Sequence, residues 1–216
     1  MGSISLEKKY ITEYIKSTLT DLKIKTVEVE NAKYHHNSNY DDVPFIIKHG
    51  ILSPIELNRL GIKKYSDDTL KLMNDTESHI NGNNAISLSV TGLTDIYHNE
   101  EVYDPFSPTN VDFLISSDIP VKRSTLHYGN EYLSYQKITI DKIKALDIRL
   151  LTLIEKIEDN KSYYTIESLI KKYNTLKEIA ISIKRTKLDI PLRENSKTNI
   201  TLDIDKLSTI PKLTLK

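Results

Sequence analysis

Short segments that alternate apolar and polar residues lie between two helical stripes, and this arrangement restricts the fold more than any other feature. The clearest such segments are AISLSV, VDFLISSDIPV, EYLSYQKITI and LDIRL, all before residue 151. Alternation with a period of two is typical of half-buried strands. Helices cluster early instead of alternating strictly with these strands. The sequence therefore predicts a mixed α+β fold.

The N-terminal segment predicts one helix followed by a strand. Apolar residues from Leu6 to Leu22 recur at the 3.6-residue period of a helix over residues 5–22. The segment KIKTVEVENAKYHH then alternates through Val27 and Val29, which predicts a strand or a strand pair that ends at two adjacent histidines.

Two further helices carry clear start and stop signals. Asp41 or Asp42 can cap the first, and Gly50 can end it in the left-handed conformation. The second opens with SPIE, in which Ser53 and Glu56 form a capping box. Residues 63–84 are polar and predict at most one short helix before a loop.

The C-terminal third has a different pattern. An apolar stripe from Ile166 to Ile183, with Thr165 as its cap, predicts a long helix, and the polar tail from Asn195 onward is expected to be at most partly ordered. The predicted organisation is an N-terminal helix over residues 1–24, a core domain over 25–150, and a helical extension with a tail over 151–216.

Composition excludes several classes of site. The chain has no cysteine, so disulfides, thiolate catalysis and cysteine-ligated zinc or iron–sulfur sites are ruled out. Thirty basic residues balance thirty acidic ones, so no overall field favours nucleic acid or anionic membrane. Because no apolar run reaches the roughly 18 to 20 residues that span a bilayer, we expect a cytoplasmic protein without membrane contact.

The adjacent histidines, His35 and His36, first suggest a metal site. Neighbouring residues of a strand point to opposite faces, however, so the two side chains cannot easily share one ion. The sequence also contains no HExxH motif, phosphate-binding glycine loop, dinucleotide fingerprint or GxSxG elbow. Taken alone, either histidine is best interpreted as a structural residue whose ring forms a hydrogen bond within the protein.

Residues 34–52 nevertheless resemble the opening of the catalytic domain in the diphtheria-toxin-like ADP-ribosyltransferases, the group that includes the poly(ADP-ribose) polymerases. In that family a strand ends in an aromatic residue, histidine, glycine and serine or threonine, and a helix ends in glycine fourteen residues after the histidine. Here His36, Asn37 and Ser38 occupy those positions, and 50 − 36 = 14 residues separate His36 from Gly50. This register selects His36 over His35.

A second segment, YGNEYLSYQKITIDKIKALDIRL, is similar to the last catalytic segment of the same family. There, Asn-Glu-Tyr-hydrophobic-x-Tyr starts a strand, and a short turn and a final strand follow. The resemblance implies that Glu131 is the catalytic glutamate, with Asn130, Tyr132 and Tyr135 also matched. Two segments in the right order, each with the family's spacing, are stronger evidence than either alone.

The middle segment departs from the family pattern. Where the family has Gly-Ile-Tyr-Phe, with a tyrosine that stacks on nicotinamide, this chain has Ala85 to Leu88, and Ser87 takes the tyrosine's position. Tyr97 is the candidate for a replacement stacking residue. Asn37 replaces a glycine whose backbone holds the nicotinamide amide in the family.

The resemblance implies a split β-sheet core that binds NAD as a substrate, with helices at both ends of the chain. It implies transfer of ADP-ribose to a protein or nucleic-acid acceptor and release of nicotinamide, as in a bacterial or phage effector. Gly129 stands where arginine-directed relatives have glutamate or glutamine, which disfavours arginine as acceptor. The loop before Glu131 contains basic and aromatic residues. It can either contact the acceptor or be an ordinary part of the protein surface. Two alternatives stay open: hydrolysis of NAD, and an inactive version of the fold that serves as a binding or inhibitory module.

Overall fold

The protein is described by a computed structural model. The described residues are 2–64, 66–67, 84–90, 96–98, 101–103, 108, 110–123, 131–159, 164–196 and 199–216. For residues 96–98, 101–103 and 199 the description covers the backbone only. The short helix predicted between residues 63 and 84 falls largely outside these ranges.

Strands and helices alternate irregularly along the described chain. The strands are β1 Ser3–Leu6, β2 Ala32–Asn39, β3 Ile86–Val90, β4 Ile96–His98, β5 Glu101–Tyr103, β6 Asn110–Ser116, β7 Lys122–Arg123, β8 Glu131–Ser134, β9 Ile143–Ile148, β10 Leu192–Asn195, β11 Asn199–Thr201 and β12 Lys212–Leu215. The α-helices are α1 Lys8–Asp21, α2 Val43–His49, α3 Pro54–Arg59, α4 Leu150–Glu158, α5 Ile166–Thr186 and α6 Ile204–Leu207. The prediction of a mixed α+β fold is confirmed.

One large sheet organises the described part of the chain. Its eight strands lie in the order β11-β10-β9-β6-β2-β3-β8-β7, and all neighbours are antiparallel except β9 and β10. Two smaller sheets accompany it, a parallel pair of β1 with β12 and a hairpin of β4 with β5.

The contact between β2 and β3 is much shorter than either strand. On its other side, β2 pairs with β6 from Ala32 to Asn39. Toward β3 it pairs only at Tyr34 with Val90 and at His35 with Ser89. Among the described residues, the second half of β2 therefore has no partner on that edge, and the sheet parts there.

A continuous hydrophobic core joins the sheet to the helices. It contains strand residues such as Phe113 and Leu146 and helix residues such as Ile15, Ile47 and Leu176, all at most 2% exposed. The long helix α5 contacts α1, α2 and α4. The apolar stripe that predicted α5 is thus the face that builds this core.

Local signals set several helix ends as predicted. Ser53 and Glu56 form the capping box of α3, and Thr165 caps α5 by accepting from the backbone N–H of Ser168. Gly50 ends α2 as predicted, but with φ 80° and ψ 179° it does not take the predicted left-handed helical conformation. Asp42 occupies the cap position of α2, but its side chain makes no capping hydrogen bond there.

One N-terminal prediction is wrong, and a second one changes in extent. Residues 24–29 form no strand, and β2 begins only at Ala32, because Ile24 and Val27 are held by Thr201 at the side of β11. The first helix begins at Lys8 instead of residue 5, because Ser3–Leu6 pairs with β12.

Three further predictions change in extent. The strand predicted to reach residue 121 ends at Ser116, and the one predicted to reach residue 140 ends at Ser134. The last strand of the core begins at Ile143, and the unpredicted helix α4 follows it.

The described residues of the polar tail, 195–196 and 199–216, include two strands and a helix, so for them the expectation of partial order at best is wrong. Leu192–Asn195 pairs in parallel with β9, and Asn199–Thr201 adds the next strand of the main sheet. Further along, Lys212–Leu215 pairs with Ser3–Leu6, which brings the two ends of the chain together. No described helix is both long and apolar enough to cross a bilayer.

Candidate functional site

Three of the segments that carry predicted site residues lie on neighbouring strands. His36, Asn37 and Ser38 belong to β2, Ser87 belongs to the adjacent β3, and Glu131 begins β8 on the far side of β3. The sheet topology thus brings together positions that are far apart along the chain.

Ser87 contacts both of the residues expected to matter most. Its hydroxyl donates a hydrogen bond of 2.5 Å to Oε1 of Glu131. Its backbone carbonyl accepts a hydrogen bond of 3.0 Å from Nδ1 of His36. His36 and Glu131 are therefore linked through a single intervening residue.

The bond to Ser87 determines the tautomer of His36. A carbonyl oxygen can only accept, so Nδ1 carries the hydrogen. Burial among protein atoms lowers the pKa of His36, although part of the residue remains accessible to solvent. The ring is therefore neutral at pH 7, and its Nε2 offers a lone pair instead of a hydrogen.

Two polar atoms near Ser87 are buried without a hydrogen-bond partner among the described residues. They are Oε2 of Glu131 and Oδ1 of Asn37. Both are acceptors, and buried acceptors in folded proteins are normally satisfied. A ligand that brings hydroxyl or amide hydrogens to this place would satisfy them.

The pleat of the strands determines from which side each group approaches. Glu131, Ser89 and His35 lie in one cross-strand row, so Glu131 shares a face with His35 and Asn37, while His36 lies on the other face. His36 reaches the Ser87 carbonyl at the point where β2 and β3 part. The imidazole of His36 and the carboxylate of Glu131 therefore approach Ser87 from opposite faces of the sheet.

His35 has the structural role that the sequence suggested for either of the two adjacent histidines. Its Nδ1 contacts Oδ2 of Asp112, and both side chains are buried. Burial raises the pKa of Asp112, and the hydrogen bond from His35 opposes that rise. The sequence contained a signal for this partner, since a lone acid within the apolar strand NVDFLIS needs compensation when buried.

Two tyrosines of the motif around Glu131 have structural contacts. The ring of Tyr132 packs against Tyr34 with centroids 5.4 Å apart. The ring of Tyr135 lies 5.6 Å from Nζ of Lys122 in a cation–π contact. Ser38 lies opposite Val111 in the ladder of β2 with β6.

Some predicted residues cannot be placed in the site. Tyr97 pairs with Val102 in the hairpin of β4 and β5, and only its backbone is described. The predicted stacking role depends on the side chain of Tyr97, which lies outside the described part. Residues 124–130, which include Gly129 and Asn130, also lie outside the described residues, whereas Lys122 and Arg123 form the exposed strand β7.

The described arrangement suits binding of a polar ligand and stabilisation of positive charge. It offers a carboxylate, a neutral imidazole and an amide oxygen around an opening in the sheet. Within the described residues, no group of three potential metal ligands occurs. No protein-family model and no curated protein matches the chain.

Proposed function

We propose that the chain is an ADP-ribosyltransferase that transfers ADP-ribose from NAD to a macromolecular acceptor and releases nicotinamide. One observation carries the proposal: His36 and Glu131, the residues selected by the spacing of two separate motifs, both hydrogen-bond to Ser87. The opening between β2 and β3 also agrees with the split sheet that the resemblance implies.

Glu131 would stabilise the transition state. Cleavage of the bond between nicotinamide and ribose builds positive charge on the sugar carbon, as in glycoside hydrolysis. A fixed carboxylate offsets that charge through its field. Ser87 holds Oε1, and Oε2 is left to accept a hydrogen from a ribose hydroxyl.

His36 and Asn37 would position the dinucleotide. Because Nδ1 of His36 donates to Ser87, its Nε2 accepts from a hydroxyl of the second ribose. The unpartnered Oδ1 of Asn37 can accept from the nicotinamide amide. In this role the asparagine side chain supplies a contact that the family takes from a glycine backbone.

Incubation with NAD labelled on its adenosine tests the proposal. Label that becomes covalently attached to protein or nucleic acid supports transfer, whereas free labelled ADP-ribose supports hydrolysis. Unchanged NAD, with candidate acceptors of both kinds present, would overturn the proposal of an enzyme.

The variant Glu131→Gln identifies the catalytic group. We expect it to lose about a thousandfold in turnover, the scale of losing a main electrostatic contact to the transition state, and to melt at the wild-type temperature. Glu13→Gln, at an exposed position on α1, serves as the matched control and should keep full activity. Equal activity of both variants would remove Glu131 from the mechanism.

Ser87 also supports a second candidate, a binding module without turnover. It stands where the family has a stacking tyrosine, and its hydroxyl occupies one oxygen of Glu131. In that case NAD would bind without cleavage, and Glu131→Gln would change the affinity for NAD but no rate. Equilibrium binding of NAD, measured by calorimetry beside the labelling assay, distinguishes the two.

A further inference from the structure

An open groove lies between the coil of residues 24–30, the end of α5 and the strand β11, in a part of the fold that the proposed function does not use. Its volume is about 530 Å³. Three large apolar side chains in its lining are exposed: Ile24 at 41%, Val27 at 42% and Leu188 at 39%. Clustered exposed apolar groups are typical of a surface that binds a partner.

The coil in this groove has the sequence of a strand without being one. TVEVE alternates polar and apolar residues, yet residues 24–29 belong to no strand. The backbone N–H of Ile24 donates to the Thr201 carbonyl, and that of Val27 donates to the Thr201 hydroxyl. The segment is thus held against the last strand of the sheet, with strand-like side chains facing solvent.

The rim of the groove is acidic. Five acids and two lysines line it, and one of those lysines, Lys184, forms an ion pair of 2.6 Å with Asp205. Within the described part of the chain, Glu28, Glu30 and Asp189 have no ion-pair partner. Their charge repels phosphate groups and anionic lipid, so nucleic acid and membrane are unsuitable occupants. It also disfavours a second copy, which would bring two acidic segments together.

We propose that this groove binds an extended segment of a partner protein in which apolar residues alternate with lysine or arginine. The apolar side chains cover Ile24, Val27 and Leu188, and the cations pair with Glu28, Glu30 and Asp189. The partner's extended backbone lies beside the coil of residues 24–30 and adds backbone hydrogen bonds to it. This interaction is independent of NAD chemistry.

A fluorescein-labelled decapeptide of alternating valine and lysine is the probe. We expect saturable one-to-one binding to the full chain by fluorescence anisotropy at low salt, and no binding of the matching valine–glutamate peptide. Hydrogen exchange should show new protection at residues 24–30 when the lysine peptide binds. The absence of saturable binding would overturn the proposal.

Two groove variants test the charge and apolar contributions. Because an exposed ion pair contributes little individually, we expect Glu28→Lys/Glu30→Lys to weaken binding by about tenfold. Ile24→Ser/Val27→Ser should weaken it by about fivefold, since both residues are already partly exposed. Both variants should melt near the wild-type temperature.

Glu13→Lys/Glu167→Lys is the matched control, since it makes the same change in net charge at exposed positions outside the groove lining. It should bind the peptide as the wild type does. Equal weakening by the control would mean that the peptide responds only to overall charge, which contradicts the proposal. Sedimentation that shows a dimer, lost in the groove variants, would assign the surface to a second copy and also contradict it.

Discussion

Ser87 donates its hydroxyl hydrogen to Oε1 of Glu131 at 2.5 Å, and this bond fixes the first carboxylate of β8 against β3. Ser87 is exposed, so the bond contributes more to the orientation of Glu131 than to the core. The same residue accepts from His36 through its backbone, which no side-chain substitution removes.

The hydroxyl of Ser87 should therefore be a positioning group. We expect Ser87→Ala to lower turnover of NAD about tenfold, because a hydrogen bond to a charged group is lost, and to leave the melting temperature unchanged. Ser87→Thr retains a hydroxyl and should restore most of the activity. Steady-state kinetics of the three proteins decide the matter, and an alanine variant as active as wild type would contradict the role.

The tautomer and the lowered pKa of His36 give a second prediction. Burial disfavours the charged ring, so its pKa lies below the ordinary 6.5, and the neutral form persists below that pH. Nitrogen NMR of the wild type should show the hydrogen on Nδ1 and a titration midpoint below 6.5. Activity should fall as pH drops through that midpoint, since protonation removes the acceptor at Nε2. A ring with its hydrogen on Nε2 would contradict the hydrogen bond to Ser87.

Sequence reasoning succeeded where the determining interactions are local. The capping box of Ser53 with Glu56 and the Thr165 cap of α5 form within one helical turn, so spacing alone predicted them. The partners of a strand are distant in the sequence, so the local pattern of residues does not identify them. The segment with Val27 and Val29 has the alternation of a strand but pairs with no other strand among the described residues. The polar segment that begins at Leu192, in contrast, pairs with β9.

The sequence named candidate residues but could not give the contacts between them. Motif spacing selected His36, Ser87 and Glu131, and the topology puts their strands side by side. The bond between the Ser87 hydroxyl and Glu131, and the pairing of His35 with Asp112, depend on the register between strands. That register is set by the packing of the whole sheet, which a single segment does not encode.

Gly50 gives a prediction about stability. Its φ is 80°, and a Cβ added there would lie 2.4 Å from the carbonyl oxygen of Ile138, which the neighbouring Ile51 contacts through a backbone bridge. Gly50→Ala should therefore lower the free energy of unfolding by roughly 3 kcal/mol, through the strain of an extended positive-φ conformation that is essentially restricted to glycine and through a backbone clash.

Gly61→Ala is the matched control for Gly50. Its φ is 68°, but nothing lies within 4 Å of the added Cβ. The Gly61→Ala substitution should lower the free energy of unfolding by only about 1 kcal/mol, which is the strain of the left-handed conformation alone. Urea unfolding of both variants measures the difference. Similar losses in the two would mean that the backbone near Ile138 shifts to accommodate the methyl group.

Glu194 should give the protein an unusual dependence of stability on pH. It is fully buried and accepts from the backbone N–H groups of Leu150 and Leu151 at the start of α4, and burial raises its pKa to about 7. Ser196 contacts the carboxyl group, and the negative charge of Asp147 reinforces the rise.

The direction of this dependence follows from proton binding. The folded state binds the Glu194 proton more tightly than the unfolded state, whose pKa is near 4.5. The stabilisation is thus complete below pH 4.5 and is lost as pH rises to about 7, by an amount on the order of 3 kcal/mol.

Glu194→Gln imitates the protonated side chain and does not titrate. The unfolding free energy of this variant minus that of wild type should therefore increase between pH 4.5 and 7.5 in urea titrations, while shared groups such as His36 cancel. Glu167→Gln is the control, because hydrogen bonding at the start of α5 lowers the pKa of Glu167 below 4.5 and its stabilisation is lost only as pH falls below that value. Its difference from wild type should therefore stay nearly constant between pH 4.5 and 7.5. A difference for Glu194→Gln that stays constant across this range would mean that the buried carboxylate is as well accommodated as its protonated form.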